Sequence, residues 1–415
     1  MGRIRQLVQF TTIALFLAAL GLPLVGQALI HLGIGEPSRL ELNENRHLAP
    51  PPGIPRDTEA ALAFPAAFDR YYSDNFPFRE ALVLAAVNLK VRTGIAPYDY
   101  LLVGKEGWLY LRDNIETKTV GRFEPLEASA ALHFRDEMAR FRDALAARGI
   151  QFIHFPVPEK ETLYPEFLPT RFTLAEQNRL AQAAALFEGE PGFVDATAIL
   201  KESKAKSPDR RLYHWLDSHW NCWGAFLVYR GAMEVVRRNG LLAPVVSTNE
   251  ITLNDVTARR GHGLSAREYW LGDPARRDTA YECLMDAQGL EMSLKTTGEP
   301  MPNIHGGRDL PEAGLSIPTA LYQTWHSKNE RPGAKHRAVI VRDSYGSAMA
   351  PYFLRSFREA LFLHSAFQSP GTLDRVIRTF KPDVVIYQYS EQMLNAPAEK
   401  ILRALASDSR NRARD

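Results

Sequence analysis

Length, composition and charge exclude several classes of protein. The chain has 415 residues, enough for about two to four domains at roughly 100–200 residues each. Hydrophobic residues make up 45% and charged residues 24%, the fractions of a globular protein and not of a disordered or fibrous one. The formal net charge is +2, so bulk electrostatics does not predict binding to nucleic acid. Two cysteines, Cys222 and Cys283, are too few for a disulfide framework or a cysteine-rich zinc site.

The N-terminal segment has the composition of a membrane anchor. No Asp, Glu, Lys or Arg occurs from Val8 to Gly33, and about 20 apolar residues are enough to cross a bilayer. Arg3 and Arg5 precede this stretch, so the positive-inside rule predicts a cytoplasmic N-terminus and an exported body. The stretch is longer than a signal-peptide core and no A-x-A site follows it. Residues 1–35 are therefore predicted to be a cytoplasmic N-terminus and transmembrane anchor, with a cleaved signal sequence as the alternative.

The rest of the chain is predicted to be a linker and one α/β domain. Residues 36–56 contain the stretch LAPPPGIP, which is typical of a stiff linker, and residues 57–410 form the domain with a helical extension at its start. Strand patterns cover 103–111 as a hairpin, 150–158, 192–200, 336–344, 359–365 and 382–390; helix patterns cover 128–149, 221–240, 346–357 and 372–380. Helix–strand alternation with Val/Ile-rich strands predicts a mainly parallel sheet.

Ser344 stands where an apolar strand stops. The sequence VIVRDSYG places this serine before Gly346 and other small residues, an arrangement that suits a nucleophile at a strand-to-helix turn. The alternative is structural, because Asp343 and Ser344 are both good residues for capping a helix. The segment alone favours the cap.

A serine nucleophile needs a histidine base and an acceptor for that histidine, and Asp217 and His219 supply both types. They are two residues apart, so in an extended segment they point to the same side. Two alternatives stay open from the residues alone. One is a histidine packed among the neighbouring tryptophans, and the other is a metal site that also uses His214. No further metal ligand lies nearby, so serine chemistry is favoured and no metal is predicted.

Six segments, in this order, resemble the AlgJ/AlgX-type polysaccharide O-acetyltransferase family, and more closely the shorter AlgJ subtype. They are DNFPFRE (74–80), GKEGWLYL (104–111), PVPEKETLYPEFLP (156–169), LDSHWNCWGA (216–225), VIVRDSYG (339–346) and VVIYQYSE (384–391). The resemblance implies an SGNH-hydrolase-like three-layer α/β/α domain without a cofactor.

The resemblance also implies roles for individual residues. Ser344 becomes the nucleophile, His219 the base and Asp217 its orienting partner, with the Asp-x-His pair before the serine as in this family. Lys160, Arg342 and Tyr345 become candidates for substrate binding, although a lysine in such a block is commonly a solvated surface charge. Arg342 stands where the usual Gly-Asp-Ser block has glycine.

The implied function is transfer of acetyl groups to sugar hydroxyls of an exopolysaccharide, alginate or a similar polymer, through a serine acyl-enzyme. The expected place is the periplasm, at the inner membrane. The expected partners are the polysaccharide acceptor, a membrane-bound O-acyltransferase that donates acetyl, and other exopolysaccharide biosynthesis proteins; nucleic acid is not expected. Two alternatives remain: a carbohydrate acetyl esterase with the same triad, and a non-catalytic scaffold or glycan-binding component of an export complex. A bridge between the cysteines stays open, with Cys222 more simply a small core residue.

Overall fold

The computed structural model describes residues 2–32, 49–75, 101–111, 125–170, 178–257, 279–294, 325–364 and 372–391, with single residues in some of the gaps. The chain divides into two compact units. Unit 1 is Met1–Pro97 with Ser265–Arg276, and unit 2 is Tyr98–Leu264 with Arg277–Asp415. The domain limits expected at residues 35, 56 and 410 stay predictions.

Unit 1 contains two long helices, α1 (Gly2–His31) and α2 (Thr58–Asp74). Asp57 caps α2, because its side-chain oxygen accepts the Ala60 N–H at 2.7 Å. Over the part of the chain that the structure describes, none of the helices combines the length and apolar character that a membrane crossing requires. The N-terminal segment is helical from Gly2 to His31, and the predicted transmembrane anchor is not supported.

Unit 2 holds the α/β elements. In chain order they are β1 (Leu101–Val103), β2 (Leu109–Leu111), α3 (Ala128–Ala146), β3 (Gln151–Val157), α4 (Lys160–Leu163), α5 (Arg179–Leu186), α6 (Ala196–Lys206), α7 (Cys222–Arg238), β4 (Thr252–Thr257), β5 (Thr279–Leu284), β6 (Leu290–Leu294), β7 (Trp325–Asn329), β8 (Arg337–Arg342), α8 (Ala350–Ser356), β9 (Glu359–His364), α9 (Thr372–Phe380) and β10 (Val384–Ser390).

The main sheet has six strands in the order β3-β10-β8-β9-β7-β6. The first four run parallel, but β7 is antiparallel to both β9 and β6. The sheet is therefore mixed, which corrects the expected mainly parallel sheet. The antiparallel strand β7 was not predicted, because Ser327 and Asn329 occupy two of its buried positions. Hydrophobic alternation gives no signal when the inward-facing residues are polar. Two small antiparallel pairs, β1–β2 and β4–β5, complete the described strands.

Helices cover both faces of the sheet. Successive residues of β10 enter two different cores, because side chains alternate between the faces of a strand. One core joins the sheet to α6, α7 and α8 through Leu200, Phe226 and Phe353. The other joins it to α3, α5 and α9 through Phe141, Leu180 and Ile377. Burying each such side chain contributes about 1.5–3 kcal/mol, so both layers stabilise the sheet. The expected three-layer arrangement is present.

The predicted strand at 192–200 is wrong. Phe193 forms only a single bridge to His154, and α6 begins three residues later at Ala196. Asp195 is the reason, because its Oδ1 accepts the Ala198 N–H at 2.8 Å and so starts a helix. An apolar run this short cannot be assigned by its periodicity, and the capping aspartate decides it.

The two cysteines form a disulfide between the first residue of α7 and β5, 61 residues apart in sequence. The interpretation of Cys222 as a small core residue is therefore wrong. It failed because the pairing joins two segments that no local pattern relates. The bridge attaches the β4–β5 pair to the helix that begins three residues after His219.

Removing the disulfide is expected to destabilise unit 2. Replacing both cysteines by serine should lower the free energy of unfolding by about 2–4 kcal/mol, because the bridge restricts the unfolded chain over a long loop. Denaturant titration with and without reductant measures this. Reductant should shift the midpoint of the wild type and leave that of the variant unchanged. Equal midpoints for oxidised wild type and variant would contradict the prediction.

Candidate active site

Ser344 lies at the carboxyl end of the parallel part of the sheet. β8 pairs in parallel with β10 on one side and β9 on the other, and it ends at Arg342. Ser344 then begins a 3₁₀ turn, Tyr345–Met349, yet its side chain makes no capping hydrogen bond in that turn. Its Oγ lies instead 2.9 Å from Nε2 of His219. The capping alternative therefore fails for Ser344.

Asp343, the neighbouring residue, does cap the turn. Its Oδ1 accepts the Tyr345 N–H at 2.9 Å and its Oδ2 accepts the Ser390 N–H at 2.7 Å. Gln388 on β10 adds a reciprocal pair: its amide donates to Asp343 Oδ1 at 2.8 Å and accepts the Asp343 N–H at 3.1 Å. Burial raises the pKa of Asp343, although these hydrogen bonds act against that rise. Asp343 therefore fixes the direction in which Ser344 leaves the strand.

Gly346 allows this turn to pack against Gln388. A Cβ at this position would lie 2.5 Å from the Arg342 Cβ and 2.6 Å from Gln388 Oε1, closer than atoms can approach. The glycine is required here for space.

Gly346→Ala is accordingly expected to displace the turn. The free energy of unfolding should fall by about 1–3 kcal/mol, the usual cost of overpacking, and Ser344 should lose its alignment with His219. Thermal unfolding measures the first effect, and reaction of Ser344 with a sulfonyl fluoride measures the second. Gly53→Ala is the control, since a Cβ there meets nothing within 4 Å. Wild-type stability and labelling in Gly346→Ala would contradict the close packing.

His219 and Asp217 lie on the loop that leads into α7. Asp217 Oδ1 accepts both the backbone N–H and the Nδ1–H of His219, each at 2.7 Å. This pairing leaves Nε2 to accept the hydroxyl proton of Ser344, so the tautomer is set by the carboxylate. Asp217 is buried at 5% exposure, whereas the His219 side chain is 34% exposed. The structure thus brings together the three residues that the sequence analysis selected.

The two side chains shift each other's pKa. Burial acts to raise the pKa of Asp217, but the charge and hydrogen bonds of His219 outweigh it and the net shift is downward. Burial acts to lower the pKa of His219, but the charge and hydrogen bond of Asp217, together with Asp343, raise it above the ordinary histidine value. An ion pair between them is therefore favoured whenever the imidazole is protonated.

The Tyr345 side chain is buried, at 4% exposure. Its buried hydroxyl lies 2.6 Å from Glu159 Oε2 and 3.1 Å from the Ser218 carbonyl oxygen. Its ring packs against the His219 imidazole with 4.7 Å between centroids. Trp220 donates its indole N–H to the Tyr345 carbonyl at 3.0 Å, which ties the two loops together. Tyr345 therefore packs against His219 and helps to hold its imidazole in place.

Arg342 is fully buried beside the turn that Ser344 begins. Its guanidinium lies 3.8 Å from the centre of the Trp325 ring and donates to Ser347 Oγ at 3.0 Å. Burial lowers its pKa to about 9, which still leaves the group charged at neutral pH.

Lys160 is also buried, at 1% exposure, and its ammonium donates to backbone carbonyls of the Asp217 loop. The alternative interpretation of Lys160 as a solvated surface charge is wrong, and its role in substrate binding stays a prediction.

Gln388 and Glu159 are site residues that the sequence analysis did not select. Gln388 is 1% exposed within the strand VVIYQYS, where its neighbours are apolar or aromatic. A polar residue inside such a strand must have a buried partner, and that was the available signal. Glu159 is 3% exposed and carries no comparable signal, since it stands next to Lys160 in a charged stretch.

Comparisons with known proteins relate this geometry to a family. Residues 101–273 match the model of the SGNH-hydrolase-like domain of the acetyltransferase AlgX. PatB1 of Bacillus cereus has a similar structure, with a TM-score of 0.55 and 15% identity over 71% of this chain and 96% of that one. For a DHHW family protein of Eubacterium siraeum the TM-score is 0.52 and the identity 15%, over 73% of this chain and 95% of that one. For the O-acetyltransferase domain of Pseudomonas putida AlgJ the TM-score is 0.41 and the identity 18%, over 71% of this chain and 92% of that one. No curated protein matches the chain.

The matched segment includes Asp217 and His219 and ends before Ser344. The two structures with TM-scores above 0.5 share the fold over most of their own length. The resemblance to the AlgJ/AlgX-type family is confirmed, while the assignment to the AlgJ subtype stays a prediction. Residues 101–273 are therefore similar to the SGNH-hydrolase-like domain of the acetyltransferase AlgX.

Proposed function

We propose that this protein is an O-acetyltransferase that moves an acetyl group to sugar hydroxyls through an acyl-enzyme on Ser344. The observation that carries the proposal is the continuous hydrogen-bonded series from Ser344 Oγ to His219 Nε2 at 2.9 Å and from His219 Nδ1 to Asp217 Oδ1 at 2.7 Å. Serine attacks a carbonyl at neutral pH only with such a base. The similarity of residues 101–273 to the AlgX acetyltransferase domain supports acetyl as the group transferred.

In the first half-reaction Ser344 takes the acetyl group. Its Oγ forms a bond to the acetyl carbonyl carbon while its proton passes to His219 Nε2. The donor's alcohol then leaves and recovers that proton from His219. Asp217 stabilises the imidazolium that exists in between, and its lowered pKa keeps it ionised in that role. The Tyr345 N–H already donates to Asp343, so an oxyanion would have to compete for that amide.

In the second half-reaction a sugar hydroxyl replaces the donor. His219 removes the hydroxyl proton, the sugar oxygen attacks the acetyl carbon, and Ser344 Oγ leaves and is reprotonated by His219. Water can perform the same attack and would give an esterase. Transfer requires that the bound sugar exclude water from the exposed side of His219.

The substrate and setting follow from the same proposal. The acceptor is alginate or a similar exopolysaccharide, and the place of action is the periplasm. The disulfide supports an oxidising compartment, where cytosolic acetyl-CoA is absent. The acetyl group would then reach the protein from a membrane-bound O-acyltransferase, alongside other exopolysaccharide biosynthesis proteins.

The deciding experiment separates transferase, esterase and scaffold. The full chain is incubated with a small activated acetyl ester, with and without short mannuronate or glucan oligosaccharides. Acetate release and oligosaccharide mass are followed together. An added acetyl group on the oligosaccharide supports transfer. Acetate release that stays the same when an oligosaccharide is added, with no acetylated oligosaccharide, supports the esterase. The absence of both acetate and acetylated oligosaccharide supports a non-catalytic scaffold.

A further inference from the structure

Lys160 connects the start of α4 to the loop that carries Asp217 and His219. Its Nζ donates to the carbonyl oxygens of His214 at 3.1 Å, Trp215 at 3.1 Å and Asp217 at 2.7 Å. A lysine ammonium has three N–H donors, which is one for each of these carbonyls. Three carbonyl dipoles that converge on one point would repel one another without a cation between them. A single buried ammonium therefore sets the path of this loop.

Two aromatic rings also lie near the Lys160 ammonium. The Trp108 ring centre lies 5.4 Å from Nζ and the Tyr110 ring centre 5.0 Å from it. Both rings are themselves buried. Faces of aromatic rings attract a cation and offset part of the cost of removing it from water. The β1–β2 region thus provides a built site for the Lys160 charge behind the loop.

The Lys160 charge also acts on His219. Burial acts to lower the pKa of His219, and the charges that also shift it include Asp217 on its own loop, Asp343 after β8 and Lys160 at α4. The Tyr345 ring, whose hydroxyl donates to Glu159, packs against the imidazole. The two carboxylates favour the imidazolium, and Lys160 opposes it by lowering the pKa of His219. Lys160 keeps more of the imidazole neutral than the carboxylates alone would allow, and a general base must be neutral to accept a proton.

We propose that Lys160 is a positioning residue of the active site, which holds the backbone carbonyls of His214, Trp215 and Asp217 from inside the protein and places a positive charge beside the loop that carries His219. The inference rests on the proposed acyl transfer for its effect on turnover. Its effect on the titration of His219 can be measured without any turnover.

Lys160→Met tests both parts, since methionine keeps an apolar stem of similar length and removes the charge. We expect kcat to fall about 10–100-fold, as for a displaced catalytic group, with KM nearly unchanged. The acidic limb of the kcat/KM profile should move to higher pH, because His219 then holds its proton more strongly. NMR titration of the His219 imidazole should show the same upward shift.

Lys160→Arg separates geometry from charge. Arginine retains the positive charge, but its planar fork does not present three donors to three carbonyls in the same way. We expect a reduced kcat with the acidic limb at its wild-type pH. This variant also carries the test if Lys160→Met does not fold.

Lys204→Met is the matched control. Lys204 also donates to a buried carbonyl, that of Leu163 at 2.6 Å, and its Nζ lies 4.2 Å from the centre of the Tyr164 ring, but it does not contact the Asp217 loop. Its pH profile should match the wild type. The inference is overturned if folded Lys160→Met keeps the wild-type kcat, or loses activity without any shift in the His219 titration. A wild-type chain with no Ser344-dependent acetyl transfer overturns the proposed function instead.

Discussion

Ser344→Ala is expected to abolish acetyl transfer and acetate release while leaving the fold intact. Loss of a serine nucleophile from a hydrogen-bonded triad typically costs a factor of about 10⁴ or more in kcat. The hydroxyl makes no capping hydrogen bond in its turn, and Asp343 supplies the cap in its place. Removing Oγ should therefore leave the melting temperature close to that of the wild type.

Ser347→Ala is the matched control for this change. Ser347 lies in the same 3₁₀ turn, and its hydroxyl accepts a hydrogen bond from Arg342 at 3.0 Å without contacting His219. We expect this variant to keep activity within about tenfold of the wild type, since one hydrogen bond to a charged group is worth about 1.5–3 kcal/mol, most of it as stability. Intact mass after exposure to the acetyl ester should show one added acetyl group in wild type and none in Ser344→Ala. Equal turnover by Ser344→Ala and wild type would exclude an acyl-enzyme on Ser344, and the absence of turnover in both would favour the scaffold.

The central part of the site could be predicted from local signals taken together with the resemblance to the AlgJ/AlgX-type family. Asp217 and His219 are two residues apart, so their shared side follows from an extended segment without knowledge of the fold. Ser344 follows the apolar run of β8, and the change from apolar to small and polar residues marks the end of that strand. The structure adds the part that no local pattern contains, the 2.9 Å approach of His219 Nε2 to Ser344 Oγ across 125 residues of sequence.

The residues behind the triad were missed or misassigned because their partners are distant in sequence. In the sequence, Lys160 looks like an exposed lysine in a charged stretch. Only the fold brings it next to backbone carbonyls of the Asp217 loop, which lie 54–57 residues further along the chain. The disulfide joins segments 61 residues apart. Strand β7 was missed for a different reason, since its inward positions include serine and asparagine. Each case depends on tertiary contacts that override the local sequence signal.

Asp217→Asn is expected to reduce kcat about 10²–10³-fold, less than Ser344→Ala, because it removes charge while keeping the hydrogen-bond geometry. Both hydrogen bonds from His219, one from its backbone N–H and one from Nδ1, converge on the same oxygen, Oδ1. The backbone N–H of His219 can donate to the carbonyl oxygen of an asparagine amide but not to its NH₂ group, so it should hold that amide with its carbonyl toward His219. The imidazole then keeps the tautomer that leaves Nε2 facing Ser344. The variant loses the carboxylate that stabilises the imidazolium.

The pH dependence of Asp217→Asn follows with a definite sign. The charge of Asp217 raises the pKa of His219, so in wild type the imidazole loses its proton, and activity rises, at a higher pH than for an ordinary histidine. In the asparagine variant that contribution disappears, and the acidic limb of kcat/KM should move to lower pH. This is opposite to the shift expected for Lys160→Met, so the two variants measured side by side identify His219 as the group that titrates. An acidic limb that stays in place in both variants would assign the titration to another residue and remove the evidence for His219 as the base.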